Sequence, residues 1–377
     1  MKIYNRKILF KIKQGVDFLI FDEINSEYIL ELLGQTYTTE IACVRPKPIY
    51  LNLKFLFLFC ESFFSILSSI EHENTKSTIN KAYTKSMLLI YKSKAVITMI
   101  DNNKDFHWAS KNVKGLHFIA IQNGFRLAYV NKNLFLNHYF CFGQHEIDSL
   151  PKQGHQINNF YPCGSLIAGI NFSRYGDVSI DYDLLIISCW RGNIGFAKEV
   201  SDTMLSMRKM DLLIAKYLSE RTNIKAAIIL RSEKNSEHWF MPELSMDEET
   251  YYKNIYNDSA TIIQNDFKNK NIYKVILQSD LLISTLSTAL IEGFGIGKKS
   301  LLCNFTGVQD YHIDFPGEIT TNLDDFSSFS NLLDNIFKIP YSEYLDRYNK
   351  LQAYYMNFDP AKPIKERIRE KITEILI

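Results

Sequence analysis

The chain has 377 residues, with 43 Lys and Arg against 42 Asp and Glu and a formal net charge of +1. That length exceeds what one hydrophobic core comfortably serves and predicts two domains. The near-neutral balance gives no field drawing the chain to nucleic acid. Six scattered cysteines (Cys43, Cys60, Cys141, Cys163, Cys189, Cys303) show no CxxC spacing, which argues against a disulfide framework or zinc site and for reduced thiols in the cytoplasm.

The first residues, MKIYNRKILFKIKQG, mix basic with apolar side chains and lack the apolar core and cleavage site of a signal peptide. From Val16, VDFLIFD predicts a buried strand, SEYILELL a helix capped by Ser26, and TTEIACV a second strand. The lipophilic stretch Ile49 to Leu67 contains Lys54 and Glu61, and its unbroken apolar runs fall short of the ~20 residues a membrane span needs. A helix there puts Phe55, Phe59, Phe63 and Leu67 on one side, either lying on a membrane face or buried in the N-terminal domain.

A polar helix near Ser77 to Lys92 leads into a continuous apolar strand, Lys94 to Ile100, which stops at Asp101-Asn102-Asn103. DFHWASKN then predicts a helix and Leu116 to Gln122 a strand, which Asn123-Gly124 breaks with residues that tolerate positive φ. A strand near His138 to Phe142 precedes a helix from about Gly143. Strands apolar on both faces, alternating with helices, predict a mostly parallel sheet covered on both sides.

The stretch Gly164 to Asp183 shows little periodicity and is read as the inter-domain connection. The rhythm restarts with YDLLIIS, a long helix from Ile194 to Glu220, and strands at Lys225 to Arg231, Ser259 to Gln264 and Asp280 to Ser284. A helix through Ile296 and a fifth strand, KSLLCN, follow. The C-terminal amphipathic helix carries Ile364, Ile368, Ile372 and Ile375 on one stripe. The fold class is α/β with two Rossmann-like domains, residues 1–172 and 173–355, and a helix at 356–377 that packs back on the N-terminal domain.

Ligands of open parallel sheets bind at the carboxyl ends of the strands. In SDLLISTLSTALIEGFGIGKK (Ser279 to Lys299), a strand stops at Ser284, Thr285, Ser287 and Thr288, which open a helix. Free N–H groups at a helix start, joined by hydroxyls, cradle phosphate; an ordinary Ser or Thr cap is the alternative. One turn on, Glu292 is a candidate acceptor for ribose or sugar hydroxyls, and Gly293, Gly295 and Gly297 would let backbone approach a ligand. Arg191-Gly192 and Arg231 follow the first two strands of this half, where guanidinium groups neutralise a departing phosphate, or else form surface salt bridges. Trp190 stacks on a base or packs in the core. Glu233, His238, Tyr251 and Tyr252 fall in a long loop that would close over a donor.

In the first half, Asp101 is a candidate base on an acceptor hydroxyl, or a nucleophile, with Asn102 in support; helix capping is the plainer reading. Gln122, Asn123, Gly124 and Arg126 form a loop suited to an acceptor, an anionic donor sugar or a departing phosphate. His145 opens a helix as a second acid/base candidate. HExxH, P-loop and GxSxG motifs are lacking, as is a DxD flanked by an apolar strand, so zinc hydrolysis, NTPase, serine-esterase and metal-dependent transfer chemistries lose their usual signatures.

The strand, Ser/Thr cluster, helix with internal Glu and Gly-Lys at Ser279 to Lys299 resemble the donor-nucleotide region of two-domain, metal-independent GT-B glycosyltransferases. KAVITMIDNNKDFHWASKN, HFIAIQNGFR, YFCFGQHEID and FYPCGSL resemble, in order, the blocks of the surface carbohydrate biosynthesis family of bacterial polysaccharide clusters. The likeness runs from about Val16 to Asn304. It implies an active site in a central cleft between the halves, a nucleotide-sugar co-substrate and no metal or other cofactor. It also implies a glycan or lipid-linked acceptor of capsule, O-antigen or lipopolysaccharide type, with peripheral contact at the inner membrane. Related-looking enzymes use CMP-linked acidic sugars such as Kdo or sialic acid, and a more distant likeness to polyol-phosphate polymerases implies CDP-linked donors. Sugar-nucleotide epimerisation and a noncatalytic assembly scaffold are the competing readings.

Overall fold

The computed structural model describes residues 8–9, 12–42, 47–69, 74–126, 133–192, 198–307, 319–359 and 361–377. The chain divides into two compact units. The N-terminal unit comprises Met1–Gly124, Tyr129–Ile167 and Asp359–Ile377, and the C-terminal unit comprises Phe125–Ala128 and Ala168–Phe358.

In the N-terminal unit the chain runs through β1 (Ile8–Leu9), β2 (Phe18–Ile20), α1 (Ser26–Leu33), β3 (Thr39–Ile41), β4 (Ile49–Tyr50), α2 (Leu53–Leu67), α3 (Thr75–Tyr91) and β5 (Ala95–Thr98). It continues with α4 (Lys104–Asn112), β6 (His117–Ile121), β7 (Phe135–Cys141), α5 (Gln144–Ser149), β8 (Gln156–Pro162) and α6 (Leu166–Tyr175). Six parallel strands lie in the order β3-β2-β5-β6-β7-β8. Every residue of β2 and β5 is buried, because helices cover both faces of the sheet. Phe18 pairs with Ala95 and Ile97 with Ile119, and Leu19, Phe21, Val96, Phe106 and Phe118 join one core. Each such fully buried side chain contributes about 1.5–3 kcal/mol over exposure.

Several boundaries differ from the sequence reading. Asn25, in the left-handed region at φ 60°, precedes α1, so Ser26 lies inside the first turn and makes no side-chain cap. Asn103 caps α4, its Oδ1 accepting from Asp105 N at 2.9 Å and Phe106 N at 3.2 Å, and Asp101 has no part in that cap. The aperiodic stretch read as a connection contains α6. The apolar stripe assigned to Phe55, Phe59, Phe63 and Leu67 is mostly the inward side of α2: Phe55 is buried, stacked on Tyr50 at 4.4 Å, with Phe59 and Phe63 half-buried. The exposed apolar face is another one, led by Leu53, Phe57 and Phe64 at 86%, 70% and 65% exposure. Among the described residues no helix is long and apolar enough to cross a membrane.

The C-terminal unit contains β9 (Tyr182–Ile187), α7 (Lys198–Glu220), β10 (Ala226–Ile229), the antiparallel pair β11 (Phe240–Met241) and β12 (Met246–Asp247), α8 (Glu248–Tyr256) and β13 (Ala260–Ile263). Next come α9 (Asn271–Leu277), β14 (Ser279–Ser284), α10 (Thr288–Gly295), β15 (Lys299–Cys303), β16 (Thr320–Thr321), α11 (Phe326–Lys338) and α12 (Tyr341–Tyr355). All six sheet strands are parallel, in the order β13-β10-β9-β14-β15-β16. Counted within the unit this is 3-2-1-4-5-6, the doubly wound Rossmann order, with its reversal between β9 and β14. The sixth strand, Thr320–Thr321, is too short to carry a sequence signal. The last helix, α13 (Ile364–Leu376), belongs to the N-terminal unit, where Arg369 Nε donates to Leu32 O of α1 at 2.8 Å. Ile364, Ile368 and Ile372 are its buried stripe.

Candidate functional site

In the C-terminal unit a cavity of about 260 Å³ opens beyond the carboxyl ends of β9, β10 and β14, lined in part by Ser188, Arg191, Arg231, Asn265, Ser287 and Thr288. Loops leaving β9 and β14 diverge to opposite sides of the sheet at the order reversal, and this leaves the crevice.

Two positive charges converge there. Arg231 Nη1 donates to Trp190 O at 2.6 Å, and its carbonyl accepts from Asn265 Nδ2 at 2.9 Å. Burial, and then the like charge of Arg191, lower the Arg231 pKa from its ordinary value. Among the described residues neither arginine stands in an ion pair, unlike Arg221, whose Nη2 lies 2.6 Å from Asp334 Oδ2. The salt-bridge alternative for Arg191 and Arg231 is therefore not what these residues show. Two like charges lining one cavity repel, and an anionic ligand relieves the repulsion.

The start of α10 adds donors. Ser287, its N-cap, is extended and makes no side-chain cap hydrogen bond, so the hydroxyl does not consume the helix's own first amides. Thr288 Oγ1 accepts from Phe125 N at 3.0 Å, which leaves its hydroxyl proton for another acceptor. Of the four hydroxyls read as a cradle, these two line the cavity. Ser284 is buried and donates to Ile187 O at 2.7 Å, tying β14 to β9, and Thr285 is buried at 4% exposure. Both lie outside the lining.

Glu292 also lies off the cavity, 2% exposed, with Tyr273 donating to its Oε2 at 3.2 Å. The glycine reading is corrected too. A Cβ at Gly293 would stand 2.3 Å from Leu282 Cδ1, at Gly295 2.4 Å from Met356 Cγ, and at Gly297 2.9 Å from Leu345 Cδ2. These glycines make room for side chains of the same unit, and no ligand is needed to explain them. Gly192 is different: a Cβ there would meet the backbone oxygen of His238 at 1.9 Å, so the loop carrying Arg191 runs against the loop carrying Trp239.

Trp190 is fully buried, donates from Nε1 to His238 O at 3.1 Å and packs on Tyr251, which selects packing over base stacking. Tyr251 and Tyr252 are core residues of α8 and not parts of a closing loop. Glu233 Oε1 accepts from Phe267 N at 3.0 Å.

Sequence reasoning passed over Glu248, a fully buried carboxylate at the start of α8. Its Oε1 accepts from Ser188 Oγ and, at 2.8 Å, from Arg231 N; its Oε2 accepts from Ser232 N at 2.9 Å. Burial raises its pKa, and these hydrogen bonds pull it back down. Its place after Asp247 reads as one more acidic residue in a helix's first turn, so the pattern alone gives no signal.

The N-terminal unit holds the other candidates. Asp101 has 0% exposure, and its Oδ2 accepts from Tyr139 OH at 2.9 Å, so a substrate reaches this carboxylate only if the chain moves. Asn102 beside it is exposed. Gln122 is 1% exposed and committed internally: Nε2 donates to Glu146 Oε1 at 3.0 Å and Gly124 O at 3.1 Å, and Oε1 accepts from Phe142 N at 2.8 Å. Asn123, Gly124 and Arg126 are half-buried. His145 Nδ1 lies 3.7 Å from Glu146 Oε1, which places Gln122, Glu146 and His145 in one cluster. Among the described residues no group of three His, Cys, Asp or Glu could hold a metal ion.

No protein-family model and no curated protein sequence matches the chain. Solved structures do. The wall teichoic acid polymerase TagF superposes with a TM-score of 0.52 at 10% sequence identity, over 98% of this chain and 88% of that one. A TagF variant soaked with CDPG gives 0.52 at 10%, over 96% and 88%. A Listeria monocytogenes protein assigned as a UDP-N-acetylglucosamine 2-epimerase gives 0.53 at 12%, over 97% and 96%. At these identities the likeness establishes fold: the chain carries the twin Rossmann-like α/β fold of GT-B type.

Proposed function

We propose that the chain is a nucleotide-sugar-dependent glycosyltransferase of GT-B type whose donor phosphate sits in the cavity of the C-terminal unit. The observation that carries this reading is the pair Arg191 and Arg231, without ion-pair partners among the described residues, beside the start of α10 at the switch point of the sheet. When the bond between sugar and nucleotide breaks, negative charge grows on the departing phosphate. The two guanidinium groups and the Ser287 and Thr288 hydroxyls neutralise and bind that charge, and on this reading no metal is required. A CMP-linked acidic sugar is the donor class we favour. The acceptor is a growing surface glycan, free or lipid-linked, of capsule, O-antigen or lipopolysaccharide type, met at the cytoplasmic face of the inner membrane.

Polyol-phosphate transfer is the second reading, favoured by the CDPG soaked into the TagF variant of like fold. The two differ in the bond broken. A CMP-sugar donor releases CMP with transfer of the sugar alone, whereas CDP-glycerol releases CMP with transfer of glycerol phosphate. Incubation with CMP-sialic acid, CMP-Kdo, UDP-sugars and CDP-glycerol, reading free nucleotide and transferred group, separates them. Absence of binding to CMP, CDP, UDP and GDP in calorimetry overturns both.

A further inference from the structure

Four hydrogen bonds close a circuit under the two arginines. Glu248 Oε1 accepts from the Ser188 hydroxyl; Ser188 Oγ accepts from Trp190 N at 3.1 Å; Trp190 O accepts from Arg231 Nη1 at 2.6 Å; and Arg231 N returns to Glu248 Oε1 at 2.8 Å. Ser188 and Arg231 line the cavity, while Glu248 and Trp190 have 0% exposure. The circuit spans the exits of β9 and β10, and α8 supplies the carboxylate that joins them.

We propose that Glu248 is a positioning residue that holds the Arg231 guanidinium in the geometry that grips a phosphate, without touching the ligand itself. Burying a carboxylate is costly, and core packing alone would be served by an apolar residue. Here the two carboxyl oxygens are met by a hydroxyl and two backbone amides at the exits of two strands, and two of those three donors belong to residues lining the cavity. A flexible arginine loses side-chain freedom when it clamps an anion, so an arginine fixed beforehand binds more tightly. Glu248→Gln keeps the size but turns one carboxyl oxygen into an amide NH₂, which in either orientation must face a backbone N–H, that of Arg231 or that of Ser232, from which it cannot accept.

This inference rests on the cavity being the donor-phosphate site, and its test separates the two. Inorganic pyrophosphate binding is measured by calorimetry on wild type, E248Q, R231A and the double variant, with thermal unfolding as the check on folding. We expect E248Q to bind about tenfold more weakly. The double variant should match R231A within about twofold, because Glu248 acts through Arg231 and has nothing left to position. A merely structural Glu248 predicts independent losses that multiply, and that result, or E248Q binding like wild type, overturns the proposal. If E248Q does not fold, S188A opens the same circuit with the carboxylate retained and should show the same coupling to R231A; its absence counts against the proposal equally. If wild type binds neither pyrophosphate nor CMP, CDP, UDP or GDP, the donor-phosphate reading fails on its own. Amide hydrogen exchange in E248Q, or S188A, then decides the circuit: faster exchange at Arg231 or Ser232 upholds it, and unchanged rates overturn it.

Discussion

Arg231 Nη1 and Trp190 O are hydrogen-bonded at 2.6 Å, so the guanidinium at the end of one strand is anchored to the exit of its neighbour. The anchor uses one face of the fork and leaves other N–H groups for an anion. Arg231→Ala should weaken nucleotide binding by about 10- to 100-fold, the worth of one or two charge-assisted hydrogen bonds. Arg231→Lys should recover little, since an ammonium cannot hold the Trp190 carbonyl and a phosphate in one plane. Arg191→Ala should fall in the same range and should lower the salt sensitivity of what binding remains, since one screened charge contact is gone. Titration of CMP, CDP and UDP into the three variants checks this, and wild-type affinity in R231A would remove Arg231 from the site.

Gly192 tests the backbone behind Arg191. An alanine Cβ would sit 1.9 Å from His238 O, and a backbone atom cannot swing away as a side chain can. Gly192→Ala should therefore push the Arg191 loop off the Trp239 loop. We expect a destabilisation of about 1–3 kcal/mol, as overpacking of a tight contact costs, together with nucleotide affinity reduced at least as much as in R191A. Urea unfolding and calorimetry read the two effects separately. Unchanged values in both would mean that the two loops are not held together.

Asp101 is placed to separate two roles. A buried carboxylate bonded by Tyr139 OH has the surroundings of a group that ties β5 to β7, not of a base waiting for substrate. Tyr139→Phe should cost about 1–3 kcal/mol of stability, the cost of leaving a buried acceptor without its donor, and leave nucleotide affinity unchanged. The shift should appear as a lower urea midpoint with an unchanged slope. If Asp101→Asn instead abolishes turnover while stability stays within about 0.5 kcal/mol of wild type, the carboxylate is catalytic and the structural role is excluded.

What was legible in the sequence follows from what periodicity encodes. Strands such as Ala95–Thr98 and Ala226–Ile229 are apolar on both sides because helices cover both, and that pattern announces a parallel sheet without further information. Arg191, Arg231, Ser287 and Thr288 could be named because each follows the end of such a strand. Side-chain direction was not legible. Ser284 and Ser287 are three residues apart and alike in chemistry, yet one turns into the sheet toward Ile187 O and the other lines the cavity. On α2 every turn has apolar residues on both sides, so nothing in the pattern told the buried Phe55 from the exposed Phe57. Glu248 was hidden for a third reason: its partners lie 16, 17 and 60 residues away, and a tertiary bond of that kind leaves no local mark.

Asp211 gives the pH prediction. It has 0% exposure, its two oxygens accept from Tyr251 OH and Tyr256 OH at 3.0 Å each, and burial raises its pKa from 3.8 to about 7. The two tyrosine hydrogen bonds oppose that rise, and the nearby Glu248 adds to it. The folded chain thus holds a proton here that the unfolded chain has lost at any pH between about 4 and 7. The stabilisation is complete below the ordinary aspartate value and disappears as pH rises through about 7, so this group makes stability fall from pH 5 to pH 8. The shift corresponds to an effect on the order of 4 kcal/mol. Asp211→Asn keeps an acceptor for one tyrosine and removes the charge, so it should flatten that slope and raise the urea midpoint at pH 8 relative to wild type. A variant whose stability falls between pH 5 and pH 8 as steeply as wild type would show that Asp211 is ionised throughout and that the slope has another source.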